Sequence, residues 1–251
     1  KFVSFSTPCI GLTTVPQTWT MEDSTLVGTG TYLLPACWNR IISPATTYGY
    51  PYAYNSSTYA HTGSRCLYFY NSYYNSYAVM PGIDASVLNI QNLQVSFYAR
   101  TSATSSYAFL ELGIMTDPTD TSTFVLLQSF QPGSSYTTDP FVVPLSNYNG
   151  NGSYIAFRNT RTSSVSTYFY VDDITLEVIP DCSKARILTA VPSTHEADLS
   201  WAATGSTFDL HYKTASEANY TTIQGVTLND GVYTLSNLTD GTQYSWYIVT
   251  N

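Results

Sequence analysis

The stretch STYFYVDDITLEVI, residues 166–179, changes the phase of its hydrophobic alternation halfway along. The apolar positions that define the two phases are Phe169, Val171, Ile174 and Leu176. In an extended strand, residues two apart share a face, so the first pair and the second pair fall on opposite faces. A slip of one residue at Asp172–Asp173 would bring them back to one face, and a β-bulge produces such a slip. The stretch predicts a long strand with a bulge at its two aspartates.

Period-two alternation recurs before this strand, and no convincing stretch has the 3.6-residue period of a helix. In LQVSFYAR, Val95, Phe97 and Ala99 share one face of a predicted strand, and SYIAFRN places Ile155 and Phe157 inward. Turn-forming clusters such as MPGIDAS, TDPTDTS and SNYNGNGS separate these segments. Many short strands joined by turns predict an all-β fold, a jelly-roll β-sandwich.

The pattern changes near residue 181, where the strands become shorter and closer together. Trp201 falls in the second of these strands, which is typical of a small immunoglobulin-like sandwich. The segment LTDGTQY then places Tyr244 just after a turn. We expect a tyrosine corner there, in which the Tyr244 hydroxyl bonds the upstream backbone.

Composition excludes several classes of function. Charged residues make up 10% of the 251 residues, and the formal net charge is −8. Binding of DNA or RNA depends on lysine and arginine neutralising phosphates, so we expect no nucleic-acid partner. The same charge disfavours an anionic membrane surface, and no apolar run approaches the roughly 20 residues that span a bilayer.

The cysteines favour a secreted or cell-surface protein. Four are widely spaced, with no CxxC pair: Cys9, Cys37, Cys66 and Cys182. Wide spacing in a chain rich in Tyr, Ser, Thr and Asn suits an oxidising compartment. Cys37–Cys66 and Cys9–Cys37 are both candidate disulfides, and the sequence does not choose between them.

Several of these stretches resemble known families. LPACWNRI, SYAVMPGID, LQVSFYAR, GSYIAFRN and YVDDITLEVIPDC resemble the MAM-like jelly-roll domains of bacterial surface adhesins, including the cleaved-adhesin type of the gingipains. The later segment resembles a fibronectin type III domain through Trp201, Leu238 and Tyr244. The resemblance implies a non-catalytic, cell-surface module that is adhesive or glycan-associated.

The resemblance divides the chain into three parts. Residues 1–19 are expected to be an N-terminal strand and linker from a preceding fibronectin-like repeat, residues 20–180 the MAM-like domain, and residues 181–251 a fibronectin-like domain without its last strand. KFVSFSTPC at the start looks like such a last strand, as in one period of a tandem array. We hypothesise that residues 1–8 complete the sandwich of a second copy or fold back onto the same chain, which would make self-association a function of this segment.

A row of tyrosines is the candidate ligand-binding site: Tyr48, Tyr50, Tyr52 and Tyr54. On an extended segment these rings would share one face about 6.8 Å apart. Pro51 cannot donate to a sheet, so the segment is predicted to be an edge strand or a loop. Rigid amphipathic rings suit sugar faces or protein partners, although tyrosines can also replace phenylalanine at half-buried sheet positions. We favour that second interpretation for Tyr68 and Tyr70.

Acidic residues at two places predict a calcium site. In a jelly roll the first and last strands lie together, which would bring Glu22 and Asp23 near Asp172 and Asp173. Calcium prefers several oxygen ligands, and the resemblance implies a structural calcium there. Solvated acids are the alternative. Asp117 and Asp120 of DPTD form a weaker candidate, for which a turn is the better interpretation.

No residue set predicts catalysis. Adjacent Asp172 and Asp173 are poorly placed for the acid/base pair of a glycosidase, whose carboxyls lie roughly 5–10 Å apart around one bond. Cys37 followed by Trp38 weakly suggests a cysteine nucleophile, which needs a histidine partner. The chain has three histidines, and His195 and His211 lie in the fibronectin-like segment, which leaves His61.

We therefore expect an adhesion or binding module of a secreted or surface-anchored bacterial protein, with glycans as the leading ligand and a host surface protein as another partner. Two alternatives stay open. One is a protein–protein or self-association module, and the other is the accessory region of a larger secreted hydrolase or protease.

Overall fold

The computed structural model describes residues 9–22, 26–28, 32–43, 50–71, 75–102, 107–161, 167–180, 186–203 and 205–250. The chain divides into two compact units, Lys1–Ile179 and Pro180–Asn251, called unit 1 and unit 2. Both are built from antiparallel sheets, so the all-β prediction is confirmed. No helix in these described ranges is long and apolar enough to cross a bilayer.

Unit 1 is a two-sheet sandwich. Its strands are β1 (Gln17–Trp19), β2 (Leu26–Val27), β3 (Leu34–Pro35), β4 (Asn39–Ser43), β5 (Tyr52–Asn55), β6 (Arg65–Asn71), β7 (Asn75–Val79), β8 (Leu93–Thr101), β9 (Ala108–Met115), β10 (Val125–Phe130), β11 (Phe141–Pro144), β12 (Tyr154–Arg161) and β13 (Thr167–Val178). One sheet has the order β11–β8–β13–β6–β5, with β1 also paired to β13, and the other has the order β10–β9–β12–β7–β4. The β2–β3 pair and short 3-10 helices at Ile90–Asn92 and Thr121–Thr123 complete the unit.

The bulge predicted in β13 is present. The register of β13 against β8 shifts between Asp172 and Thr175. Asp173 lies at the shift with a φ of 47°, in the left-handed region that non-glycine residues rarely adopt. The apolar residues on both sides of the bulge face the core as predicted, each at most 1% exposed: Phe169, Val171, Ile174 and Leu176.

The core of unit 1 lies between its two sheets. Phe97 of β8 contacts Phe157 of β12 edge to face, with ring centroids 5.0 Å apart. Val95 and Ile155 join the same buried cluster, as their alternation predicts. Because burying a large apolar side chain contributes about 1.5–3 kcal/mol, this cluster fixes which face of each strand remains outside.

Residues 9–19 pack on unit 1. Leu12 forms a parallel bridge with Ile83, and its amide donates to the carbonyl of Gly82 at 2.7 Å. Strand β1 pairs with β13, and Trp19 contacts Trp38 edge to face at 5.6 Å. This part of the expected N-terminal linker is therefore integral to the sandwich, while residues 1–8 lie outside the described residues.

Unit 2 contains two three-stranded sheets. Its strands are β14 (Arg186–Pro192), β15 (Glu196–Ala202), β16 (Phe208–Thr214), β17 (Thr221–Val226), β18 (Tyr233–Ser236) and β19 (Tyr244–Thr250). The sheets have the orders β14–β15–β18 and β17–β16–β19. Leu199, Trp201, Phe208 and Leu210 form the centre of a separate core.

The predicted tyrosine corner is confirmed in unit 2. The amide of Thr239 donates to the Tyr244 hydroxyl at 3.0 Å. This bond closes the turn before β19, as the sequence LTDGTQY predicts. The fibronectin type III assignment itself stays a prediction.

Candidate functional site: a tyrosine surface on unit 1

Tyrosines cover the outer face of three neighbouring strands of unit 1. Alternation explains their placement: Leu67 and Phe69 of β6 are buried in the core, so Tyr68 and Tyr70 face outward. The same rule places Tyr168 and Tyr170 of β13 on that face. We call the full set the tyrosine surface, and its members are Tyr32, Tyr50, Tyr52, Tyr54, Tyr59, Tyr68, Tyr70, Tyr168 and Tyr170.

Strand register brings residues from distant parts of the sequence into one row. Tyr52 of β5 pairs with Tyr68, and Tyr68 pairs with Tyr170. Tyr170 pairs in turn with Arg100 of β8. Neighbouring strands lie about 4.8 Å apart, so side chains in such a row contact each other.

The rings of the tyrosine surface pack against each other. Tyr68 lies near parallel to both β13 tyrosines, with ring centroids 5.8 Å from Tyr168 and 5.3 Å from Tyr170. Tyr54 contacts the same ring at 4.9 Å and a tilt of 33°. Most side chains of this surface are half-buried, whereas Tyr170 is 4% exposed beneath the Tyr59 ring that stacks on it.

The loop between β5 and β6, residues 56–64, packs against one side of the tyrosine surface. Tyr59 of this loop stacks on Tyr170, with centroids 4.3 Å apart. The Tyr136 hydroxyl donates to the Tyr59 carbonyl at 2.6 Å. The Arg100 guanidinium lies over both Tyr59 and Tyr136, 5.6 and 5.8 Å from their ring centroids. The loop is therefore held against the sheet by stacking, a hydrogen bond and a cation.

Three residues of the predicted row lie together in this surface. Tyr50 and Tyr52 have ring centroids 5.5 Å apart, and Tyr52 and Tyr54 are 6.0 Å apart, somewhat closer than a flat strand would place them. Strand β5 is an edge strand, as Pro51 predicts. Tyr48 lies outside the described residues.

The other tyrosines of this surface were not predicted from the sequence to be binding residues. Tyr68 and Tyr70 were expected to be ordinary half-buried positions, but Tyr50 contacts them at 5.5 and 5.3 Å. The sequence feature that could have identified them is the YFY pattern in both β6 and β13, where a buried phenylalanine separates two tyrosines on the outer face.

Three phenols of this surface, those of Tyr52, Tyr68 and Tyr170, have a raised pKa. Burial, followed by the neighbouring phenols, raises the pKa of Tyr52 to about 12. Burial also raises the pKa of Tyr68 and of Tyr170. Their hydroxyls can therefore both donate and accept hydrogen bonds at physiological pH without carrying charge.

The predicted acidic residues gather around the same β5–β6 loop. Glu22 accepts from the Ser64 amide at 2.6 Å, from the Ser64 hydroxyl at 2.9 Å, and from the Arg65 amide. Asp173 lies 2.6 Å from His61 Nδ1 and accepts from the Thr62 hydroxyl at 2.7 Å. The expectation that jelly-roll topology brings these acids to one region is consistent with this geometry, while Asp23 lies outside the described residues.

Asp172 is fully buried beneath the loop. Its Oδ2 accepts from the His61 amide at 2.8 Å and the Thr62 amide at 3.2 Å, and its Oδ1 accepts from the Asp173 amide at 2.8 Å. Burial raises its pKa to about 6, although these amides act in the opposite direction. The carboxylate thus anchors the loop.

The three described acids of the predicted calcium site all have protein partners. Every carboxylate oxygen of Glu22, Asp172 and Asp173 already accepts or contacts a protein nitrogen or hydroxyl. Within the described ranges, no three His, Cys, Asp or Glu side chains converge on one metal position. Calcium therefore stays a prediction of the resemblance.

Asp117 and Asp120 have turn-forming contacts. Asp117 Oδ1 accepts from the amide and hydroxyl of Thr119 at 2.8 and 2.7 Å, and these bonds lower its pKa. Asp120 accepts from the Ser122 amide at 2.9 Å and caps the 3-10 helix. Both are the side chain–backbone bonds of Asx turns.

The structure chooses between the candidate disulfides. Cys9 and Cys37 are bonded, with Cα atoms 5.6 Å apart, so the alternative Cys37–Cys66 pair is wrong. Cys66 is a buried free thiol beneath the tyrosine surface. Cys37 has no thiolate to serve as a nucleophile. Cys182 lies outside the described residues.

The chain is similar to several solved structures, but no family is shown for it. No protein-family model matches the chain, and no curated protein matches it. The K2 cleaved adhesin domain of Lys-gingipain is 16% identical, covering 65% of this chain and 98% of its own, with a TM-score of 0.47. The K1 cleaved adhesin domain of Lys-gingipain from Porphyromonas gingivalis W83 is also 16% identical, covering 66% and 100%, with a TM-score of 0.46. A xylan-binding domain from Paenibacillus barcinonensis is 13% identical, covering 65% and 93%, with a TM-score of 0.39.

Proposed function

We propose that this chain is a non-catalytic binding module of a secreted or surface-anchored protein, and that its tyrosine surface binds a neutral glycan. The observation that carries this proposal is the row of tyrosines on the outer face of β5, β6 and β13, in which Tyr52 and Tyr68 are half-buried and Tyr170 is covered by Tyr59. Monosaccharides combine apolar C–H faces with many hydroxyls. Aromatic rings offer apolar area to the C–H faces, and phenol hydroxyls can donate to or accept from the sugar hydroxyls.

The electrostatics support an uncharged ligand. Burial raises the pKa of Tyr52, Tyr68 and Tyr170, so these phenols carry no charge at physiological pH, and the nearby Arg100 guanidinium lies over two rings. Interactions between neutral groups are not screened by salt, whereas contacts between exposed charges are. Binding that persists at high ionic strength is therefore expected.

The disulfide supports an extracellular location. Cys9–Cys37 joins the N-terminal segment to the loop before β4. Disulfides persist in oxidising compartments and are rare in the cytosol. The role of accessory region in a larger secreted hydrolase or protease is compatible with the same placement.

A protein partner is the second candidate, and the composition of the surface favours it. The segment from Tyr50 to Tyr77 is rich in Tyr, Ser and Asn, which are among the residues that dominate antibody paratopes. Tyrosine supplies contact area at a low entropic cost, and mutually packed rings need little further ordering. A host surface protein or a second copy of this chain would suit such a surface.

A glycan array probed at low and high salt separates the two candidates. The glycan proposal predicts binding to neutral glycans that free sugar competes away and that salt does not weaken. Absence of binding to every glycan, together with saturable binding to a host surface protein, would replace the first candidate with the second.

A further inference from the structure

Tyr59 contacts the tyrosine surface in a different way from the tyrosines on its strands. The near-parallel ring pairs between β6 and β13 have centroids 5.0–5.8 Å apart and planes tilted by 15–20°. The Tyr59 ring comes from the β5–β6 loop instead, and it lies flat on Tyr170, with centroids 4.3 Å and planes 2° apart. Tyr168 on the same face of β13 is half-buried, whereas Tyr170 is 4% exposed. The Tyr59 ring therefore covers an aromatic face of the proposed binding surface.

The main chain of this loop is held independently of the Tyr59 ring. The carboxylate of Asp172 accepts from the amides of His61 and Thr62 at 2.8 and 3.2 Å. The Tyr136 hydroxyl donates to the carbonyl of Tyr59 at 2.6 Å. These bonds end on main-chain atoms of the loop. The ring can therefore turn away from Tyr170 by changing its side-chain rotamer while the loop keeps its place.

We propose that the Tyr59 ring occupies a sugar-stacking position, and that a neutral glycan binds by displacing it from the face of Tyr170. This inference rests on the proposed glycan function and adds a regulatory contact to it. The C–H face of a sugar ring is flat and apolar, so it can stack where the Tyr59 ring now lies. The contact is autoinhibitory, because the apparent affinity equals the intrinsic affinity multiplied by the fraction of molecules in which Tyr170 is uncovered.

The surroundings of the Tyr59 ring favour a sugar with no charge. The Arg100 guanidinium lies 5.6 Å from the ring centroid, and within the described part of the chain its buried Nε has no hydrogen-bond partner. Buried donors are nearly always paired, so a ligand hydroxyl beside this guanidinium would supply a missing acceptor. The carboxylates of Asp172 and Asp173 bond the same loop and disfavour an anionic ligand.

The affinity of Tyr59→Ala for an array of neutral oligosaccharides tests the proposal. Because the substitution uncovers Tyr170, we expect the glycans bound by the wild type to bind about two- to tenfold more tightly, which is the effect of one aromatic pair. The double variant Tyr59→Ala/Tyr170→Ala should lose this gain. Tyr220→Ala is the matched control and should bind as the wild type does, because it removes a ring that contacts Tyr247 in unit 2.

Nitration of the wild type by tetranitromethane gives a second measurement that needs no substitution. A displaced Tyr59 ring is exposed, so its nitration, located by peptide mass, should be faster at saturating oligosaccharide, while nitration of Tyr220 should not change. Slower nitration of Tyr59, or equal or weaker binding by Tyr59→Ala, would overturn this inference and leave the glycan function standing. Binding of no oligosaccharide by the wild type and Tyr59→Ala alike would refute both.

Discussion

Tyr59 stacks on Tyr170 with ring centroids 4.3 Å apart and ring planes 2° apart. This contact fastens the β5–β6 loop to β13, above the buried carboxylate of Asp172. Stacking, the Asp172 bonds and the Glu22 bonds all hold the same nine-residue loop or its end. The position of this loop beside the tyrosine surface therefore depends on several separate contacts, and each contact can be removed by a substitution.

Removing the Tyr59 ring should weaken the packing of the β5–β6 loop against β13. Tyr59→Ala deletes the stack on Tyr170 and the contact with Arg100. An aromatic pair contributes about 0.5–1.5 kcal/mol beyond its buried area, so we expect the free energy of unfolding of unit 1 to fall by about 1–2 kcal/mol. Urea denaturation measures the change. Val87→Ala, at a 56% exposed position, is the control and should change it by less than about 0.5 kcal/mol.

The buried phenols should ionise at a higher pH than the ordinary tyrosine value. Burial raises the pKa of Tyr52 to about 12 and raises that of Tyr68, Tyr170 and Tyr136 as well. A raised phenol pKa adds stability that is fully present below the unfolded value of about 10 and is lost as pH rises through the folded value. The 295 nm absorbance should therefore rise in two phases, the later one accompanied by unfolding. A single phase near pH 10 with the fold intact would contradict the buried surface.

A partly buried ion pair in the other sheet gives a test of unit 1 packing. Arg158 Nε donates to Glu111 at 2.6 Å, and its guanidinium lies 4.2 Å from the Phe124 ring centroid. Glu111→Ala removes this carboxylate, while the Arg158 side chain is 21% exposed and keeps its contacts with Tyr77 and Phe124, so we expect a cost of about 1.5–3 kcal/mol. Asp240→Ala removes the exposed His195–Asp240 contact and should cost less than about 1 kcal/mol. Similar losses from both would contradict the described burial.

Calcium is tested by thermal melts in EDTA and in excess calcium. Because the oxygens of Glu22, Asp172 and Asp173 already contact protein donors, we expect the melting temperature of unit 1 to be the same in both. A rise of several degrees in calcium, absent in Glu22→Gln, would instead establish the site that the family resemblance implies.

Local features of the fold were predictable from sequence because they depend on neighbouring residues. The alternation in LQVSFYAR, the bulge at Asp172–Asp173 and the tyrosine corner at Tyr244 all follow from short-range patterns. The all-β class follows from their sum. Such patterns do not specify which strands pair.

The tyrosine surface could only be predicted in part, because strand pairing creates it. Tyr68 and Tyr168 are 100 positions apart in sequence and contact each other because β6 pairs with β13. The disulfide partner of Cys37 likewise depends on where residues 9–12 cross unit 1. The acids were expected to meet, but the loop that bonds them carries no distinctive sequence pattern.

Glycan-array binding of two triple variants tests whether the hydroxyls of the tyrosine surface bind a glycan. Tyr52→Phe/Tyr68→Phe/Tyr168→Phe keeps the packed rings and removes three hydroxyls of the tyrosine surface, whereas Tyr220→Phe/Tyr233→Phe/Tyr247→Phe makes the same change in unit 2. The proposal predicts that the wild type and the unit 2 variant bind the same neutral glycans equally, and that the first variant loses at least about tenfold in affinity, roughly the effect of one or two lost hydrogen bonds. Equal binding by all three proteins, or none by the wild type, would contradict a glycan site on the tyrosine surface.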